Sequence, residues 1–183
     1  MKSLLSIAVS GCLALSTLAA IGNSDPNTTT HAAQEGDTTV AVLIPTQGND
    51  ARGVVYFRKE ADAVKVVGRV DNLSPGKHGF HIHQYGDLTE VDGTSAGGHF
   101  SPEDHPHGGP SDEKHHAGDF GNITANEQGV AKIEMTVKDL DFSSIIGRGV
   151  VVHGGEDDLT SQPSGDAGPR VAVGVIGFAN PDN

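Results

Sequence analysis

Gly79-Phe80-His81-Ile82-His83 decides the fold of this chain. Successive side chains of an extended strand point to opposite faces, so Phe80 and Ile82 share one face while His81 and His83 share the other. Both imidazoles therefore emerge together, outside the core that Phe80 and Ile82 demand. Gly149-Val150-Val151-Val152-His153 reads the same way: Val150 and Val152 enter a core, and His153 lies on the opposite parity with Val151, just before Gly154-Gly155. A third strand-borne imidazole is thus available.

Between these two strands, Thr94 to Asp119 is rich in Gly, Pro, His and acidic residues and nearly free of apolar periodicity, which predicts a long ordered loop instead of a helix. Loops this long inside compact domains are usually functional or disordered. Metal ligation by His99, His107, His116 and Asp119 would order this one without a core of its own. Three histidines and a carboxylate make a closed four-coordinate site that suits structural zinc. Nitrogen-only ligation by His81, His83, His99 and His153 suits copper in tetragonal geometry. His99 belongs to both sets, because an imidazole that loses both ring protons joins two metals. His115 competes with its neighbour His116 for zinc, but the nine-residue step from His107 and the three-residue step to Asp119 favour His116. His78 is expected to hydrogen-bond backbone, His31 lies in a polar tail, and His105 reads as structural or surface.

Length and composition set the frame. At 183 residues the chain suits one domain. Its 25 glycines, repeated Val-rich runs and scarcity of helical patterns predict an all-β sandwich or barrel. Candidate strands run over residues 38–43, 53–58, 64–72, 79–85, 120–124, 130–137, 149–153 and 170–177. No internal repeat is evident. With 12 Lys and Arg against 24 Asp and Glu, nucleic-acid binding is disfavoured. No Gly-rich phosphate loop or Ser-His-Asp spacing competes with the metal reading.

Met1-Lys2 followed by the apolar stretch Leu4 to Ile21 reads as a secretory signal cleaved near Ala19, Ala20 or Gly22. Residues 1–22 are then signal peptide, 23–37 a polar linker and 38–183 the functional domain, exported to a periplasmic or extracellular space. A competing reading makes Val9-Ser10-Gly11-Cys12 a lipoprotein signal anchored through Cys12, although Leu13 to Ile21 stays apolar where a polar tether would be expected. Membrane association is expected only if the N-terminal segment is retained or Cys12 is lipidated.

From about Thr38 to Ala179 the chain resembles the copper/zinc superoxide dismutase family. The resemblance rests on Gly79-Phe80-His81-Ile82-His83, Thr94-Ser95-Ala96-Gly97-Gly98-His99-Phe100, His107-Gly108-Gly109-Pro110, His116-Ala117-Gly118-Asp119, Val151-Val152-His153 and Gly168-Pro169-Arg170. It implies an eight-stranded Greek-key barrel or sandwich of immunoglobulin-like type with long metal-binding and electrostatic loops. It also implies dismutation of superoxide to oxygen and hydrogen peroxide by a redox-cycling copper ion, bridged through His99 to a structural zinc ion. Carried over residue by residue, His81, His83, His99 and His153 hold copper, and His99, His107, His116 and Asp119 hold zinc. Arg170 attracts the anion, His99 handles a proton, and Asp157 orients one ligand of each metal. The alternative is a copper/zinc carrier or buffer without turnover; retention of Arg170 beside a full copper ligand set argues against it.

Two departures from the family pattern stand out. Cys12 is the sole cysteine, so the mature chain has no disulfide. The resemblance matches the usual disulfide positions to Gly93 and Val173, and losing such a bond typically costs about 2–4 kcal/mol. The metal ions are expected to take over part of that restraint. The family forms homodimers through a face to which the bridged loop contributes; Ile146 and Phe178 match interface sites, so a homodimer is still expected. The second departure is charge. The formal net charge is −12, and the loop from Asp157 to Arg170 is short and without the lysines that relatives often carry there. Exposed charges are largely screened beyond about 8 Å, while two divalent metals and Arg170 act at contact range. Steering of superoxide is therefore expected, but weaker than in lysine-bearing relatives.

Overall fold

The computed structural model describes residues 36–182. The signal assigned to residues 1–22, with Cys12, and most of the linker, with His31, lie outside the described residues. Alternation builds the strands: along β1 (Thr38–Pro45) Ala41 and Leu43 are buried while Val42 and Ile44 are exposed. β2 (Arg52–Lys59), β3 (Ala63–Asp71), β4 (Gly76–His83), β5 (Asp119–Ala125), β6 (Ala131–Lys138), β7 (Gly149–His153) and β8 (Arg170–Val175) follow, with a two-residue β9 (Gly177–Phe178).

Every pairing is antiparallel. The lateral order is β2-β3-β6-β5-β4-β7-β8-β1, and β1 pairs back onto β2, which closes eight strands into a barrel without an open edge. Partners are not sequence neighbours at β3–β6 and β4–β7, the crossovers of a Greek key.

Strand ends differ from the sequence expectation at two informative places. β4 begins at Gly76, not Gly79, because Gly76, Lys77 and His78 pair with Ala125, Thr124 and Ile123; a polar strand start carries no apolar alternation to read. It stops at His83 because the next two N–H groups, of Gln84 and Tyr85, donate to Gly98 and Ala96 in the loop. The single strand expected over residues 170–177 breaks at Ile176, whose N–H donates to Arg148, and β9 moves across to β1.

The core lies inside the barrel, with Leu43, Phe57, Phe80, Ile82, Val150 and Ile176 among its buried members. Phe80 meets Phe120 edge-on at 5.8 Å. β4 is buried on both faces from His78 to His83, as is the whole of its neighbour β7. Phe80 and Ile82 fill the core as the alternation requires, whereas His81 and His83 point outward and are covered by loops. The residue 94–119 segment holds one 3₁₀ turn, Thr94–Ala96, is otherwise loop as far as Gly118, and ends in Asp119, which opens β5 because it pairs with His81 of β4. Ile82 stitches this segment to β4: Ile82 donates to Gly118 at 2.9 Å and accepts from Phe100 at 2.8 Å, while Gly118 donates to Phe100 at 2.9 Å. A Cβ on Gly118 would lie 2.2 Å from the Ile82 carbonyl oxygen, so only glycine lets the loop come this close.

Gly118→Ala is accordingly expected to destabilise the fold by about 1–3 kcal/mol through backbone displacement and to weaken zinc retention by moving Asp119. Urea unfolding with and without zinc checks this; a variant with wild-type midpoints in both conditions would refute the role of the stitch.

Candidate metal centre

His81 and His83 leave β4 on its outer face, His153 ends the adjacent β7, and His99 is drawn against β4 by a bridge between His83 and His99. One donor nitrogen from each of these four rings lies within 4.8 Å of the others. His99, His107, His116 and Asp119 form a second group of the same compactness, sharing His99 with the first. All seven sequence-assigned ligands thus meet in one place. Asp157 and Arg170 join them, the first behind the rings and the second beside them in a cleft of about 450 Å³ with His83, His99 and His153 in its wall.

Each ring's hydrogen bonds decide which nitrogen is free. His81 donates from Nε2 to Asp157 Oδ2 at 2.7 Å, leaving Nδ1. His83 donates from Nδ1 to the Gly97 carbonyl at 2.9 Å, leaving Nε2, and His153 does the same to Gly168 at 3.0 Å. His107 donates from Nε2 to Asp157 Oδ1 at 3.0 Å, leaving Nδ1. The nitrogens left over, together with His99 Nε2, are buried and have no hydrogen-bond partner. Buried polar atoms without partners are rare and costly, so the convergence of four of these five, on His81, His83, His99 and His153, is a test of fit that the chain passes for copper. The second group fits zinc, with Asp119 Oδ1 2.6 Å from His99 Nδ1 and 3.2 Å from His116 Nδ1, and Asp119 Oδ2 3.1 Å from His107 Nδ1.

Asp157 ties the two groups by accepting from one ring of each. Asn122 of β5 holds it in place by pairing with its backbone in both directions, at 2.8 and 2.9 Å. Gly165 makes room: at φ +70° it bears no side chain, and a Cβ there would lie 1.8 Å from Asp157 Oδ1. Asp119 is likewise prepared, accepting from the backbone of Gly108 at 3.1 Å and His116 at 2.9 Å.

His105 lines the cleft without joining either group, and His78 and His115 are engaged elsewhere. His78 is buried and bonds the carbonyls of His153 and Ser74, both at 2.8 Å, while His115 Nδ1 bonds the carbonyl of His116 at 2.7 Å. Reading residue types alone missed the carbonyls of Gly97 and Gly168 that select the ring tautomers, because a backbone acceptor leaves no residue-type signal. It also missed the grip on Arg170, whose guanidinium donates to the carbonyls of Gly93 and Gly97, the latter at 2.5 Å.

Burial dominates the electrostatics of the rings. It pushes His81 down to about 4, against the pull of Asp157, and His153 down to about 3, helped by the neighbouring His81 charge. His83 is held well below its ordinary range by burial and then by His99. Burial pushes the Asp119 carboxyl up, but its bond to His99 and the charges of three imidazoles outweigh that and leave it well below the usual range. Asp157 is lowered on the same balance, with His81 as the strongest opposing partner. Neutral rings facing ionised carboxylates are what divalent cations require.

A family model described as copper/zinc superoxide dismutase (SODC) matches residues 51–176. The chain is 41% identical over 154 residues to a protein named extracellular superoxide dismutase [Cu-Zn] from Brugia pahangi, a match that covers 78% of this chain and 76% of that protein.

The depressed ring values carry a pH signature. Between pH 6.5 and about 4 the unfolded chain binds protons at His81 and His153 that the folded chain refuses, so stability falls as pH falls through that window and is level for these groups above it. Metal-free protein is expected to lose several kcal/mol of unfolding free energy between pH 7 and 4. Urea unfolding at stepped pH measures it, and a flat profile would contradict the buried, neutral assignment.

Proposed function

The chain belongs to the copper/zinc superoxide dismutase family, and on that premise we propose that His81, His83, His99 and His153 hold the copper ion and that His99, His107, His116 and Asp119 hold the zinc ion. The activity is the conversion of two superoxide anions and two protons into oxygen and hydrogen peroxide. The observation that carries the site assignment is the set of four unpartnered, buried ring nitrogens that converge, three of them on rings that line one cleft with Arg170. A carrier would have no use for an arginine there.

When bound, copper would supply one-electron redox cycling, and zinc would supply a fixed positive charge. The chain's own residues do the rest. Arg170, with part of its guanidinium anchored on Gly93 and Gly97, presents its charge and remaining N–H groups to the anion. His99 works from two ends: Nδ1 sits in the Asp119 group, which tethers the ring, while Nε2 faces the cleft group and gives a proton to the reduced anion before regaining one from water. Asp157 keeps the His81 and His107 rings in one orientation, and the Gly97 and Gly168 carbonyls do so for His83 and His153.

The protein is further proposed to be exported, with residues 1–22 as signal peptide, 23–37 as linker and 38–183 as the enzyme domain; the name of the Brugia pahangi relative supports this. A homodimer is proposed through the face that includes Ile146 and Phe178. Exposed apolar side chains support it: Phe178 is 67% exposed and Val42 61%, on strands that neighbour each other.

Metal analysis combined with a superoxide-consumption assay, before and after copper reconstitution, tests the centre. Arg170→Ala is expected to keep both metals and to consume superoxide at least ~10-fold more slowly; an unchanged rate would remove Arg170 from the reaction, and copper-filled wild-type protein without turnover would overturn the assignment. In sedimentation, the wild type is expected to run as a dimer and Phe178→Asp as a monomer. A wild-type monomer would end the dimer proposal.

A further inference from the structure

Gly93 and Val173, the positions matched to a family disulfide, lie side by side: a Cβ on Gly93 would stand 2.8 Å from Val173 Cγ1 and 3.5 Å from both Thr46 Cγ2 and Arg170 Cδ. With Cys12 as the chain's sole cysteine, no covalent bond joins them. The turn after β1 meets both segments at this point. Thr46 is 5% exposed, and its hydroxyl donates to the Arg170 carbonyl at 2.7 Å. Asn49 Nδ2 donates to that hydroxyl at 2.9 Å; an amide nitrogen only donates, so the Thr46 proton is left to Arg170. The Thr46 N–H donates to Val171 at 3.2 Å, and the Gln47 N–H donates to Val91 at 2.8 Å, two residues before Gly93.

The ladder itself is weak here. Val152 pairs with Ala172 and His153 with Arg170, so Val171 is an extra residue in the β7–β8 register. Bulged residues lose ladder partners and swing the backbone. Thr46 supplies the acceptors of Arg170 and Val171 with donors at the place where the guanidinium must be aimed.

We propose that Thr46, oriented by Asn49, is a positioning residue for Arg170: its hydroxyl fixes the backbone from which the guanidinium reaches the Gly93 and Gly97 carbonyls, and so sets the anion affinity of the cleft. The proposal rests on the reading of Arg170 as the anion's partner.

Azide titration of the copper- and zinc-loaded protein, followed by its charge-transfer absorption on the cupric ion, tests both. Thr46→Val removes the hydroxyl but not the bulk, and its azide affinity is expected to fall about two- to tenfold, the worth of one net hydrogen bond. Thr46→Ser is expected to restore it. Melting of the metal-free variants runs in parallel: a lowered melting temperature in Thr46→Val with wild-type azide affinity would make the residue merely structural and overturn the proposal, as would Thr46→Ser behaving like Thr46→Val. Should Thr46→Val fail to fold, Asn49→Ala decides, with about a twofold loss expected and an unchanged affinity overturning the strap. Arg170→Ala separates the two claims. If it leaves azide binding intact, both fall; if it weakens binding while Thr46→Val does not, only the strap falls.

Discussion

Each imidazole of the proposed copper set other than the shared His99 spends one nitrogen on the protein, and that constraint fixes where the remaining lone pair points. His81 gives its Nε2 to Asp157, His83 and His153 give their Nδ1 to backbone carbonyls, and in the zinc set His107 gives its Nε2 to the same Asp157. His99 differs, facing both groups with its two nitrogens. Were any of the bonded rings to flip, a donor would face the ion and an acceptor would face the Asp157 carboxylate, for His81 and His107, or a backbone carbonyl, for His83 and His153. Asp157 is the most exacting member because one carboxylate must satisfy a strand-borne ring and a loop-borne ring together.

Burial makes this arrangement both costly and useful. A barrel strand normally hides one face and wets the other, yet β4 hides both, with His81 and His83 under the 94–119 loop. Dry surroundings disfavour protonated rings, so His81 and His153 stay neutral across the physiological range. Burial raises both carboxylates, but the ring nitrogens that donate to them, His99 to Asp119 and His81 and His107 to Asp157, hold them below the usual range. The cost is stability at low pH in the absence of metal, and the gain is a set of unprotonated ring nitrogens for cations to bind.

The loops are held by polar bonds instead of a covalent tie. Ile82 and Gly118 stitch one loop to β4, Asn122 clamps the backbone of Asp157, and the turn at Thr46 spans the gap between Gly93 and β8. Acidic residues in the last loop serve their own backbone: Asp158 accepts from Thr160 and Ser161, and these bonds draw its carboxyl down to about 2. The cleft wall where Arg170 stands carries one acidic side chain, Asp104, and Asp92 acts on Arg170 as well. Local charge at contact range outweighs distant charge across salt water.

Much of this was legible in the chain alone. Alternation in Gly79-Phe80-His81-Ile82-His83 separates core from ligand residues because strand side chains have a period of two, and the ligand inventory follows from the donor preferences of each ion. Strand starts at Gly76 and the break at Ile176 were not legible, since polar strand ends are set by their partners across the sheet. Nor were the ring tautomers, the Gly97 and Gly168 carbonyls, or the reach of Thr46 to a residue 124 positions away. Residue types and spacing determine which groups are available to a metal, because those are properties of side chains and local period. Which nitrogen faces the ion, and what holds Arg170 beside it, depend on backbone groups from distant segments, and only the closed barrel brings those within hydrogen-bond reach.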